Sequence, residues 1–249
     1  MMTAKQLIST AAGLLLLIGS ARGDWNVGDP YKYVQLPNMN GWDVSPQDSG
    51  GAFTMLADDW VCSVSGPVTD IHLWYSWSND VPHNFGVELA IYSNVPGVGT
   101  NGFSQPGNSL WSSVFNWGQF STRPYATNSQ GWYEPRTGSW LTNTHSIMWE
   151  LNITNIQNLN QQQGVTYWLA VEFTGTNTDT IGWKTALTST NDAAVWLTPS
   201  WVWTKLVDQS TNSMDLAFVI TTIPEPSTSL LVALGGLALI GLRRQVARH

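Results

Sequence analysis

The stretch Asp70-Ile71-His72-Leu73-Trp74-Tyr75-Ser76-Trp77 alternates strictly: Ile71, Leu73, Tyr75 and Trp77 leave on one side, His72, Trp74 and Ser76 on the other. A period of two belongs to a β-strand, so one face of this segment is predicted to enter a core. The pattern recurs in Phe85, Val87, Leu89 and Ile91; in Ile147, Trp149, Leu151 and Ile153; in Tyr167, Leu169, Val171 and Phe173; and in Leu216, Phe218 and Ile220. Turn-forming clusters separate these runs: Asn79-Asp80-Val81-Pro82, Asn94-Val95-Pro96-Gly97, Gln105-Pro106-Gly107-Asn108 and Gly175-Thr176-Asn177. Long helical periodicity is absent between residues 24 and 222, and the polar stretch 155–163 reads as a loop or one short helix. Short strands at this spacing predict an all-β single domain, a β-sandwich of jelly-roll type.

Two further segments flank that domain. Residues 1–23 carry Lys5, an apolar run from Ala11 to Ile18 and the small residues Gly19, Ser20, Ala21 and Gly23. This is the layout of a secretory signal helix, too short to span a bilayer and removed after export. The domain at 24–222 holds sixteen acidic and five basic residues (Lys32, Arg123, Arg136, Lys184, Lys205), a formal charge of −11. Nucleic-acid binding rests on neutralising phosphates with Lys and Arg, so that partner class is excluded as an expectation. Cys62 is the single cysteine, which rules out an intramolecular disulfide. It reads as a small buried residue, and the domain is long enough to be held by its own core.

The last segment, 223–249, begins Ile223-Pro224-Glu225-Pro226-Ser227, continues with an apolar helix at 228–242 and ends in Arg243, Arg244 and Arg248. The helix is short for a full span but suits a thin membrane. Its basic end is expected to stay cytoplasmic, leaving the domain outside. Pro224 and Pro226 remove backbone donors and favour an extended segment that a processing enzyme can grip. These three parts, in this order, resemble the PEP-CTERM sorting signal, a tail also labelled an ice-binding-protein C-terminal domain. Ile223 stands where valine is commoner. The resemblance implies Pro224, Glu225, Pro226, Arg243 and Arg244 as the sorting residues and an exosortase-type enzyme as partner. It also implies transient anchoring in the membrane, followed by display at the cell surface or in an extracellular matrix. No regular Thr-x-Thr array supports ice binding. Leu56-Ala57-Asp58-Asp59-Trp60-Val61-Cys62, the run from Gly66 to Trp74, Gly182-Trp183-Lys184-Thr185 and Asn191-Asp192-Ala193-Ala194-Val195-Trp196 resemble a secreted domain of unknown function. That second resemblance covers about residues 30–220 and implies no activity.

Function must then be sought on the strand faces opposite the predicted core. These carry His72, Trp74 and Ser76; Glu88, Ala90 and Tyr92; Met148, Glu150 and Asn152; and Trp168, Ala170 and Glu172. Aromatic rings stack on sugar rings and carboxylates accept from hydroxyls, so Trp74, Tyr92, Trp168, Glu88, Glu150 and Glu172 are the candidates for a polysaccharide-binding platform. The plain alternative is a solvated outer face. Of the tryptophans, Trp60, Trp74, Trp77, Trp149, Trp168 and Trp183 read as core, whereas Trp111, Trp117, Trp132, Trp140, Trp201 and Trp203 lie in polar surroundings and are the exposed candidates.

Catalysis is weakly signalled. Glu88, Glu150 and Glu172 could supply a carboxylate pair to a polysaccharide hydrolase or lyase. His72, His83 and His145 have no zinc spacing, and no Gly-x-Ser-x-Gly elbow occurs. Asp58 and Asp59 are candidates for a structural calcium; otherwise no cofactor is expected. The expectation is therefore a non-enzymatic exported surface or matrix protein that binds glycans, with a hydrolase or a purely structural matrix component as alternatives.

Overall fold

The computed structural model describes residues 24–46, 55–97, 102–175 and 180–222. The signal helix at 1–23, the helix at 228–242 and the sorting residues Pro224, Glu225, Pro226, Arg243 and Arg244 lie outside the described residues. Among the described residues no helix is long and apolar enough to cross a membrane.

The described chain is all-β. Its strands are β1 (Tyr33–Gln35), β2 (Trp42–Val44), β3 (Leu56–Val61), β4 (Gly66–Pro67), β5 (Asp70–Trp77), β6 (Gly86–Val95), β7 (Gln105–Phe115) and β8 (Ser121–Glu134). There follow β9 (Ser139–Ile153), β10 (Asn160–Gln161), β11 (Thr166–Thr174), β12 (Ile181–Lys184), β13 (Val195–Leu197), β14 (Trp203–Lys205) and β15 (Phe218–Thr221). One sheet has the order β1-β15-β5-β12-β2-β8-β9 and the other β14-β13-β3-β11-β6-β7, while β10 and β4 form a small ribbon. The polar stretch at 155–163 is thus a loop that ends in β10.

The two sheets stack on the residues that alternation marks. Ile71, Leu73 and Tyr75 of β5, Leu151 and Ile153 of β9, and Phe218 and Ile220 of β15 meet Leu56 and Trp60 of β3, Val87, Leu89 and Ile91 of β6, and Leu169, Val171 and Phe173 of β11. Rings interlock across the gap, with Trp60 edge-on to Phe218 at 5.7 Å and Tyr75 tilted 6.3 Å from Phe173. Each such side chain removed from water contributes about 1.5–3 kcal/mol.

The seven-stranded sheet is not a simple open layer. β5 pairs with β9 along one edge, from Ile71 opposite Ile153 to Ser76 opposite Met148. Its other edge pairs first with β15 and then, at Tyr75–Trp77, with β12. β12 pairs with β2, β2 runs parallel to β8, and β8 pairs with β9. Strands β5, β12, β2, β8 and β9 therefore close into a ring. A parallel pair inside a closed ring has no place in two antiparallel Greek keys, so the observed architecture is a sandwich with its own connectivity. Closure buries the inner face of the ring as fully as the sandwich core. Trp74, Ser76 and Met148 are all 0 % exposed although they point away from that core. Trp74 packs edge-on against Trp25 (6.2 Å) and Tyr125 (5.4 Å), giving a second apolar cluster with Met148, Ala217 and Val219. Gly182 is needed where β12 enters the ring, because a Cβ there would lie 2.9 Å from both the Asp43 Cβ and the Trp132 ring.

Candidate functional site

The six residues expected to share a platform are divided by the fold. Trp74 and Glu150 stand on β5 and β9 of the seven-stranded sheet, while Glu88, Tyr92, Trp168 and Glu172 stand on β6 and β11 of the other. The outward sides of two stacked sheets point in opposite directions, so no single surface unites them. Trp74 and Trp168 are both 0 % exposed and offer no ring to a ligand; the Trp168 indole donates to Asn94 Oδ1 at 2.8 Å. The Glu150 carboxyl is also shut off from water and is gripped by Arg123, whose Nε lies 2.7 Å and Nη2 2.6 Å from Oε2. Arg123 extends the same grip to the Trp25 carbonyl at 2.8 Å, so this ion pair fastens the segment after residue 23 to the sheet.

Four residues remain together on the outer side of the six-stranded sheet. The register sets Glu88 directly opposite Glu172, Ala90 opposite Ala170 and Tyr92 opposite Trp168. β3 continues these rows with Ala57 opposite Ala170, and β13 adds Val195 opposite Ala57. Three alanines in a row leave a low floor across β3, β11 and β6. Larger side chains lie over it: Met55, Tyr92, Phe103 and Trp203 pack on this cluster. The Tyr92 and Trp203 rings approach to 6.4 Å, and the Tyr92 hydroxyl points at Met55 Sδ, 3.9 Å away. β14 is four places from β6, about 19 Å in a flat sheet at 4.8 Å per strand, so the rings meet only because they reach across the alanine row.

The carboxylate pair borders this aromatic cover. Burial raises the Glu172 carboxyl above its ordinary value of 4.5, and Glu88 raises it further. Burial likewise raises the Tyr92 phenol, helped by the negative charges of Glu88 and Glu172, which places its hydroxyl in their field. The β13–β14 hairpin, which brings Trp203 in, presents Trp201 at its tip, 83 % exposed. Trp201 holds a positive φ of 60° while its N–H bonds the Thr198 carbonyl at 2.8 Å. A bulky residue in that conformation is uncommon, and here it throws an indole into solvent beside the patch. Of the exposed candidates in sequence Trp201 is exposed, whereas Trp203 is half-buried against the cluster; the part played by Met55 and the alanine floor was not legible. Trp132, grouped with them, is 2 % exposed and belongs inside the ring.

Residues 31–221 match the family described as Domain of unknown function (DUF7901). The chain belongs to that family. Residues 222–245 match the PEP-CTERM protein-sorting motif, which implies export through an exosortase system. No curated protein and no solved structure matches the chain.

The DUF7901 domain also buries the two aspartates considered for calcium. Asp58 Oδ2 accepts from Gln35 Nε2 at 2.8 Å and from the Leu216 N–H at 2.6 Å, and Oδ1 accepts from the Asp59 N–H at 2.8 Å. Burial and the neighbouring Asp215 push the Asp58 carboxyl well up. Asp59 is pushed to about 8 by burial and then by Asp192 and Asp215, and its Oδ1 has no hydrogen-bond partner among the described residues. Both Asp58 oxygens are already engaged by donors of the protein itself. Among the described residues no group of three or more His, Cys, Asp or Glu is arranged to hold a metal ion. The histidines are likewise dispersed. His72 Nδ1 lies 2.6 Å from Asn152 Oδ1, His83 sits edge-on to Trp77 at 5.5 Å, and His145 lies in the ring. Cys62 is buried, its thiol donating to the Val64 carbonyl at 3.1 Å.

Proposed function

We propose that the DUF7901 domain is the non-enzymatic, glycan-binding part of an exported surface or matrix protein. Its ligand would contact the outer side of the six-stranded sheet at Glu88, Glu172, Tyr92, Trp203 and Trp201. The observation that carries this reading is the placement of Glu88 directly opposite Glu172 beside half-buried aromatic rings. Like charges directly opposite each other in a sheet destabilise it. A polyhydroxylated ligand relieves them by donating hydroxyl hydrogens, and its apolar ring faces suit tyrosine and tryptophan. Hydrolysis is supported less well. The paired carboxyls of a glycosidase approach the scissile bond from two sides, about 5–9.5 Å apart. Glu88 and Glu172 instead project in the same direction from neighbouring strands. The tail would hold the domain outside the cell through the 228–242 helix until exosortase-type processing releases it to the surface or matrix.

The test is binding of the exported protein to a panel of polysaccharides, with Glu172→Gln and Trp201→Ala in parallel. Binding to a defined polymer that weakens in both variants, with the fold intact, supports the reading. A folded protein that binds no polymer refutes it and leaves the structural matrix role. Release of reducing ends would establish the hydrolase.

A further inference from the structure

We propose that Lys184 and Gln130 are joined by an intramolecular isopeptide bond inside the five-stranded ring, with Asp43 carrying the protons.

Four polar side chains, each from a different strand of the ring, meet in its interior: Asp43 of β2, Gln130 of β8, His145 of β9 and Lys184 of β12. The side chains of Asp43, His145 and Lys184 are 0 % exposed, and Gln130 is 2 % exposed. Lys184 Nζ donates to the Gly41 carbonyl at 2.9 Å, to Asp43 Oδ2 at 3.0 Å and to Gln130 Oε1. The amine therefore lies against a carboxamide oxygen that is one bond from the electrophilic carbon Cδ. Asp43 Oδ2 also meets His145 Nε2 at 2.9 Å, whereas Asp43 Oδ1 has no hydrogen-bond partner among the described residues. An amine, a carboxamide and a carboxylate touching that amine, all removed from water, are the parts required for amide exchange. Proximity of this kind replaces a bimolecular encounter, and a dry site excludes competing hydrolysis.

The reaction balances without any co-reactant. The Lys184 ammonium gives one proton to the Asp43 carboxylate, and the neutral Nζ attacks Cδ of Gln130. Asp43 then relays a second proton from Nζ to Nε2, the Cδ–Nε2 bond breaks, and ammonia leaves. Ammonia takes up the remaining proton and restores the carboxylate. Lysine ammonium and glutamine amide become one secondary amide and one ammonium ion. The unpartnered Asp43 Oδ1 supplies the second oxygen that such a relay needs. His145 also lines a hollow of about 460 Å³ with Asp80, Asn128 and Asn143, and ammonia would leave on that side.

The bond would fasten β12 to β8 across the intervening β2, linking positions 54 apart in the chain. It would act in a protein whose single cysteine cannot form an internal disulfide. The experiment is peptide mass spectrometry of the full chain, expressed, folded and then digested under denaturing conditions. The expected result is a branched pair of peptides containing residues 130 and 184, lighter than their sum by one ammonia. The pair should be absent from Lys184→Arg and from Asp43→Asn, the second of which keeps both reacting residues. Because the wild-type digest decides the matter alone, failure of either variant to fold does not protect the proposal. Recovery of Gln130 and Lys184 in separate, unmodified peptides from the folded wild type overturns it. Recovery of residue 130 as glutamate in an unlinked peptide overturns it too, since water would then have reached the amide.

Discussion

Replacing Glu172 by Gln is expected to make the domain more stable while weakening it as a binder. Glu172 and Glu88 are directly opposite on antiparallel strands, which sets their Cβ atoms about 4.5–5.5 Å apart. Two unit charges at 4 Å repel by about 1 kcal/mol in bulk water and about 4 kcal/mol at an effective dielectric of 20. Both carboxyls are only partly buried and can splay apart, so the lower figure applies, and the gain should be about 1 kcal/mol. For a domain of this size that is a rise of about 2–4 °C in melting temperature. The pH dependence tests whether the Glu172 charge is responsible, through its burial and through Glu88. The folded Glu172 carboxyl lies above its ordinary 4.5, so its stabilising contribution is complete below that value and is lost as pH rises through the folded pKa. Wild type should lose stability over that window and the variant should not, so that their urea-unfolding curves converge near about pH 4. A variant no more stable than wild type at neutral pH, or a gain of equal size at both pH values, would refute the reasoning.

The remaining expectations concern burial. Trp168→Ala and Trp74→Ala should each cost about 3–5 kcal/mol in chemical denaturation, because each empties a fully enclosed site; a loss under 1 kcal/mol would mean that these rings are not core. Arg123→Ala should destabilise the fold most at alkaline pH, approaching about 3–5 kcal/mol where the buried Glu150 carboxyl is fully ionised and loses its partner. Burial, offset by Arg123, sets Glu150 at about 7, so the loss should shrink as pH falls and the carboxyl takes a proton; a loss constant with pH would contradict this. Asp59 is raised from 3.8 to about 8, so its contribution is complete below 3.8 and is lost as pH rises through about 8. Asp59→Asn should therefore flatten the alkaline side of the stability profile, and a profile still as steep in the variant would argue against it. Chelation of calcium should leave the melting temperature unchanged, whereas a fall would reinstate Asp58 and Asp59 as ligands.

Alternation identified the sandwich core because a two-residue period is a local property, written in each strand. It misjudged the opposite faces because burial there depends on which strands are neighbours. Trp74 alternates away from the predicted sandwich core, and nothing in residues 70–77 reveals that β12 and β9 flank β5 and that a ring encloses it. Glu150 shows the same limit, since its partner Arg123 is 27 positions away and is brought near by the β8–β9 register. Glu88 and Glu172 were recoverable because both stand at matching points of strands that pair. Tyr92 shares their face, but its contact with Trp203 depends on three alanines from three strands, each unremarkable alone.

The polar interior of the ring invites a reason beyond stability. Replacing a buried ion pair by apolar side chains of similar volume is often neutral or stabilising, so Asp43 and Lys184 are weak evidence for a more stable fold. Their effect on register is stronger. Val44 and Trp183 enter the sandwich core, while Asp43 and Lys184, the residues next to them, enter the ring. A slip of one residue in β12 would drive the Lys184 ammonium into the apolar core and set the Trp183 ring against Asp43. The ring is assembled from segments as far apart as residues 42–44 and 181–184, and short strands joined over such distances have few contacts of their own to fix alignment. A single charged group that is tolerated on one face alone supplies that alignment, and the same placement brings Lys184 to Gln130.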